Sequence, residues 1–157
     1  MNSSLSRRLG AFVIALSAAG ACLAAAQEPS APDALSTARA LLADKKWAAA
    51  IAELERVNDP ASADWNNLMG YSHRKAKTPD YAAAERYYDA ALRIDPQHRG
   101  ALEYSGELYL MKGELARAEQ RLATLDKACF LPCSEYTDLK KAIAAYKANG
   151  NRVVAAP

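Results

Sequence analysis

The chain has two histidines and three cysteines among its 157 residues, thin material for proton shuttling or an imidazole-rich metal centre. No glycine-rich phosphate loop, nucleophile elbow or paired-histidine zinc motif occurs, which leaves phosphoryl transfer and serine- or zinc-dependent hydrolysis without a residue set. The expectation is therefore a non-enzymatic protein with no cofactor and no small-molecule substrate. Concentrated charge is missing too. Beyond Arg7 and Arg8, which lie in a separate leading segment, the 20 basic residues fall to 18 and match the 18 acids. With no basic field there is nothing to hold nucleic acid or an anionic membrane. What the chain does have is 51% hydrophobic residues, enough for one continuous core in a single domain.

The leading segment reads as an export signal over residues 1–26. Arg7 and Arg8 precede an apolar run from Leu9 to Ala19, and Ala24, Ala25 and Ala26 offer small residues for cleavage before Gln27. The run is short for a bilayer span, which needs roughly 20 residues. A periplasmic or exported location follows as the expectation. An alternative keeps the chain on a membrane: Ala19-Gly20-Ala21-Cys22 is similar to a lipoprotein processing box, with Cys22 as the acylated residue. Membrane contact is expected only in that case. Residues 27–32, with Pro29, Ser30 and Pro32, read as a flexible leader.

From Asp33 onward the pattern is helical and it repeats. Trp47, Tyr81 and Leu115 lie 34 residues apart, as do Ala50, Ala84 and Ala118, Leu54, Tyr88 and Leu122, and Val57, Ala91 and Leu125. Offsets of 3, 4 and 3 within each copy put these residues on one helix face. A period of this length is one helical hairpin, which cannot cover its own apolar side and must stack on a neighbour. The spacing predicts helices at 33–44, 47–57, 63–76, 80–94, 98–112 and 115–127. Asp59-Pro60 and Asp95-Pro96 close two of them, Asp80 can cap a third, and Gly113 suits a left-handed helix end. A seventh, capped by Ser134 and running to Ala148, presents Leu139, Ile143 and Tyr146 on one side to close the stack. Residues 33–148 thus form the repeat domain, and 149–157 a disordered tail. Gly70 and Gly106 lie 36 apart because Thr78-Pro79 lengthens one turn. Ala38 and Gly70 lie 32 apart, so the two deviations cancel.

Gly70-Tyr71, Tyr81, Ala84, Tyr88, Ala91 and Pro96, followed by Gly106, Tyr109, Gly113, Ala118 and Leu122, give a chain that resembles the tetratricopeptide repeat (TPR) family. Ala38, Leu41, Trp47, Ala50 and Leu54 form a weaker first copy. The resemblance covers residues 33–127. It implies an all-α, right-handed superhelix of three helical hairpins plus a C-terminal capping helix, with a concave face built from the first helix of each hairpin. On that geometry the face displays Arg39 and Leu42, then Asn67, Tyr71, Arg74 and Lys75, then Glu103, Glu107, Leu110 and Met111. Basic residues in the middle and acids to one side suit a peptide of opposite charge order. An ordinary solvated face is the alternative. Some family members bind a carboxylate-ended tail through fixed lysine and asparagine positions, but Leu35 and Arg39 stand there in this chain, so that activity is not carried over.

The expected role is a protein–protein interaction adaptor of a bacterial cell envelope that holds a peptide or protein partner. Cys129 and Cys133 carry the other reading. Across a tight turn with Pro132 they suit a structural disulfide, while a redox or metal-handling accessory would use the same pair as thiols. His73 falls on the packing side of its helix and is expected to be partly buried. His98, in the turn after Pro96, is expected to be solvated. Trp65 either packs on the preceding hairpin or serves as a binding anchor.

Overall fold

A computed structural model describes residues 33–131 and 133–153. The export signal, Cys22, the flexible leader and the last four residues of the tail lie outside the described residues. Those that are described form seven helices: α1 (Ser36–Ala43), α2 (Trp47–Val57), α3 (Ala63–Lys75), α4 (Tyr81–Ile94), α5 (Arg99–Met111), α6 (Leu115–Ala128) and α7 (Ser134–Ala148). None of them is long and apolar enough to cross a membrane.

The helices pack as antiparallel neighbours in sequence order, α1 on α2, α3 on α4 and α5 on α6, and α7 lies across both α5 and α6. Close backbone approaches also run from α1 to α3 and from α3 to α5, but among the described residues none joins α2 to α4 or α4 to α6, and long side chains bridge the latter pair, Arg117 to Glu85 at 2.8 Å and Arg121 to Asp89 at 3.2 Å. First helices therefore lie closer together than second helices. That difference bends the array towards α1, α3 and α5 and makes their shared side the inner one.

The periodic columns explain the stacking. Ala50, Ala84 and Ala118 are each fully buried, and their single methyl groups let the helices of a hairpin approach closely. Beside them Leu54 and Tyr88 are also sealed, as are Ala91 and Leu125. Three clusters fill the stack in turn: Leu35, Ala38, Leu54, Trp65 and Met69; then Ala84, Tyr88, Ala91, Ala101 and Leu108; then Leu102, Tyr109, Leu125, Leu139, Ile143 and Tyr146 with their neighbours. A fully buried leucine contributes roughly 1.5–3 kcal/mol, so removing one from any cluster loosens the hairpin on either side. Tyr81 departs from its column: it is 37% exposed at the open end of α4.

Caps fix where the helices start. Asp80 accepts from the Ala83 amide at 2.8 Å, and this bond holds its carboxyl below the usual carboxylate range. Ser62 accepts from Trp65 N at 3.2 Å. Gly113, at φ +80°, turns the chain out of α5 in the left-handed region. Ser134 is not the cap of α7. Cys133 holds that position with extended backbone, and the Ser134 hydroxyl donates to Glu135 at 3.1 Å instead. Ser134 is already the first helical residue, and a disulfide joins Cys133, the N-cap of α7, to Cys129, the C-cap of α6. At the far end, Asn151 N donates to Tyr146 O at 3.0 Å, so residues 149–151 form the closing turn of α7.

Candidate functional site

Helix spacing brings Asn67, Tyr71 and Arg74 to the inner side of α3, one turn apart, facing Gly100, Glu103, Tyr104 and Glu107 of α5. Aromatic rings run across the array. Trp47 meets Tyr71 edge-on at 6.0 Å between centroids, and Tyr71 lies tilted against Tyr104 at 4.7 Å. The Arg74 guanidinium sits over both tyrosines, 5.4 Å and 5.5 Å from the ring centroids, and pairs with Glu107 at 2.7 Å. Only 4% of Arg74 is exposed. Burial works against its charge, but the adjoining Tyr88 and Glu107 outweigh that cost and hold it firmly protonated. Arg74 is therefore a buried brace between α3 and α5, with its Nε left without a partner.

Glu103 stands beside this brace, 8% exposed. Burial pushes its carboxyl up, and the nearby Glu107 on α5 and Asp138 and Glu135 on α7 push it further, to about 8, against a smaller opposing pull from Arg74. Tyr104 is raised to about 12, first by burial and then by Glu103. Asn67 is 7% exposed and its Oδ1 has no partner. The inner wall between α3 and α5 thus holds two polar groups, a carboxyl and an amide oxygen, that other protein groups leave free.

The other expected site residues are placed differently. Arg39 reaches back to Asp33 and across to Asp64, the second contact at 2.9 Å. Asp64 in turn accepts from His98 Nε2 at 2.8 Å. Lys75 is exposed on the last turn of α3. Leu110 is not on the open side: it is 5% exposed and joins the core with Tyr109, Leu125 and Leu139, because α7 covers that side of α5. Leu42 is buried as well.

His98 is a correction to the expectation of a solvated side chain. Its Nδ1 accepts from Ala101 N at 3.0 Å and so caps α5. That bond fixes the tautomer, since the accepting nitrogen cannot also carry a proton, and leaves Nε2–H to donate to Asp64. Histidine is outside the usual set of N-cap residues, so capping rules pass over it. Trp65 resolves to packing: it is 6% exposed, donates through Nε1 to Leu54 O at 2.7 Å and meets Tyr87 edge-on. His73 stacks on Tyr87 at 5.4 Å and is partly buried.

Two apolar side chains missed by sequence reasoning stand at the disulfide turn, Phe130 fully exposed and Leu131 72% exposed. Among the described residues no group of three or more histidines, cysteines or acids is arranged to hold a metal ion.

Comparison with protein families gives a match over part of the chain. Residues 79–143 match the tetratricopeptide repeat. The TPR match begins just ahead of α4 and ends within α7, and the same hairpin packing continues N-terminally through α1–α3. TPR domains are typically non-enzymatic and serve protein–protein interaction. Comparison with curated proteins gives no match.

Proposed function

We propose that the chain is an adaptor of a bacterial cell envelope that holds a partner protein or peptide along the inner side of α1, α3 and α5. The observation that carries this reading is the wall formed by Tyr71, Arg74, Tyr104 and Glu107. It is pre-ordered, with the guanidinium held over two rings and against a carboxylate, so little side-chain freedom remains to be lost on binding. Flat aromatic faces next to unused polar groups suit an extended or helical peptide better than a compact ligand. The basic and acidic ends of the residue set have become internal partners. Arg74 is committed to Glu107, and Arg39 to Asp33 and Asp64, which leaves Glu103, Asn67 and Lys75 as the polar residues with capacity for a partner. Export, whether to the periplasm or as a lipoprotein anchored at Cys22, belongs to the same proposal and rests on the leading segment.

A photo-crosslinking residue at position 71 or 104, in cells that export the chain, tests this reading against the same residue at Gln120 on α6. The expected outcome is a discrete adduct from 71 and 104 whose partner is the same for both. Equal labelling from position 120, or none from the inner side, overturns it.

A further inference from the structure

We infer that the α5 and α7 end of the groove is a seat for a lysine or arginine side chain of the partner, with Glu103 as the counter-charge at its base. The inference rests on the groove reading above and adds the chemistry of what enters it.

Glu103 carries it. The side chain is 8% exposed, and among the described residues its carboxyl accepts no hydrogen bond and joins no ion pair. The cations nearby stand beside other acids: Arg74 by Glu107 at 2.7 Å, Arg99 by Glu135 at 3.9 Å and Lys141 by Asp138 at 3.6 Å. What remains around Glu103 is negative, with Glu107 on its own helix and Glu135 and Asp138 on α7, and Tyr71 and Tyr104 supply ring faces. A carboxyl held among acids and largely shielded from water favours its neutral form until a positive group arrives.

Asn67 is the independent second sign. It is 7% exposed, with Oδ1 buried and without a partner. Its Nδ2 lies 2.9 Å from the place where a Cβ of Gly100 would stand. Gly100 and Glu103 lie one turn apart on α5, so the Asn67 amide lies over this helix about one turn before the acid. Two free acceptors with no protein donor facing them call for a ligand that brings both donors and charge. An ammonium or guanidinium group on a flexible stem does so. A bare metal ion does not fit, because no three of these groups converge on one point.

Entry of a cation beside Glu103 favours its ionised form, so the carboxyl proton leaves to solvent as the complex forms. Affinity therefore rises with pH from about 6 to about 8. The test is fluorescence anisotropy with an end-blocked, labelled alanine- and leucine-rich peptide carrying two lysines, compared with the same peptide carrying norleucine or glutamate in their place. The expected result is saturable binding of the lysine peptide alone, weakened about tenfold or more by Glu103→Gln and stripped of its pH dependence by that change. Unaltered helical circular dichroism shows that the variant folds. Asp138→Asn, at an exposed position, is the second variant, with a smaller loss expected. Equal binding of the norleucine or glutamate peptide, undiminished binding to Glu103→Gln, binding of free butylammonium as tight as that of the peptide, or no binding of the lysine peptide overturns the seat. A crosslinked partner from positions 71 and 104 would still support the groove in that case, whereas loss of both results removes the groove reading as well.

Discussion

The Tyr88 ring occupies the space that a side chain at position 70 would take, with Cδ1 and Cε1 each 2.7 Å from where a Cβ of Gly70 would stand. The backbone oxygen of Ala84 lies 3.1 Å from the same point. The fully buried ring of Tyr88 has no free direction in which to retreat, so α3 and α4 hold their separation through this pair.

Gly70→Ala should therefore destabilise the fold. Overpacking of this kind costs about 1–3 kcal/mol, partly offset by the roughly 0.5–1 kcal/mol that alanine gains over glycine within a helix. Gly106→Ala should cost less. Its Cβ would meet the Leu139 methyl groups at 2.6 Å and 2.7 Å, and a leucine end can change rotamer where a tyrosine ring held against backbone cannot. Urea unfolding followed by circular dichroism checks the order of the two variants, and an equal or reversed order would refute the packing argument.

His98→Ala should cost about 1 kcal/mol, the usual loss for an N-cap, because the Ala101 amide loses its acceptor. His98→Asn should recover most of that, since asparagine caps well, while breaking the link to Asp64 that spans two hairpins. A double-mutant cycle with Asp64→Asn separates cap from link: the coupling energy reports the link alone.

The helices were legible in the sequence because their signals are local. A 34-residue period, prolines after Asp59 and Asp95 and a glycine at position 113 fix element ends through backbone chemistry that needs no partner. The burial of Ala50, Ala84 and Ala118 follows directly from that period. Side-chain pairing was not legible in the same way. Arg74 and Glu107 are both on the inner side, as the repeat geometry implies, but whether they face a partner or each other depends on the tilt between α3 and α5. Leu110 shows the same limit, since nothing in α5 itself reveals that α7 folds back over it. His98 was hidden by a rule of residue type, and Tyr81 by its place in a column whose other members are less exposed.

Glu103 gives the fold a pH dependence of defined sign. In the unfolded chain a glutamate loses its proton near its ordinary value, while in the folded chain Glu103 keeps it up to about 8. Between those values the native state binds the extra proton, so stability falls as pH rises, by at most about 1.4 kcal/mol per pH unit for one proton. Glu103→Gln should flatten this slope and leave the protein more stable than wild type near pH 8. Unfolding curves across the range check it, and a wild-type profile that is flat from about pH 5 to about pH 8 would count against the buried, unpaired acid.

Reduction of the disulfide should loosen α7 before it loosens anything else. Cys129 ends α6 and Cys133 begins α7, with Cα atoms 5.9 Å apart. By the chain-entropy account, closing so short a loop contributes about 2 kcal/mol. Its effect is concentrated where α7 packs, because Leu139, Ile143 and Tyr146 seal the terminal cluster and the array has no further hairpin to cover α5 and α6. Cys129→Ser with Cys133→Ser should thus lower stability by about 2 kcal/mol and speed amide hydrogen exchange in α7 more than in α1 or α2. The groove feels the same change, since Glu135 and Asp138 are carried on α7 and help hold Glu103 protonated. If exchange in α7 is unchanged while that in α1 and α2 rises, the disulfide is not what holds the closing helix. The end of the stack would then owe its stability to the packing of Leu139, Ile143 and Tyr146 on α5 and α6.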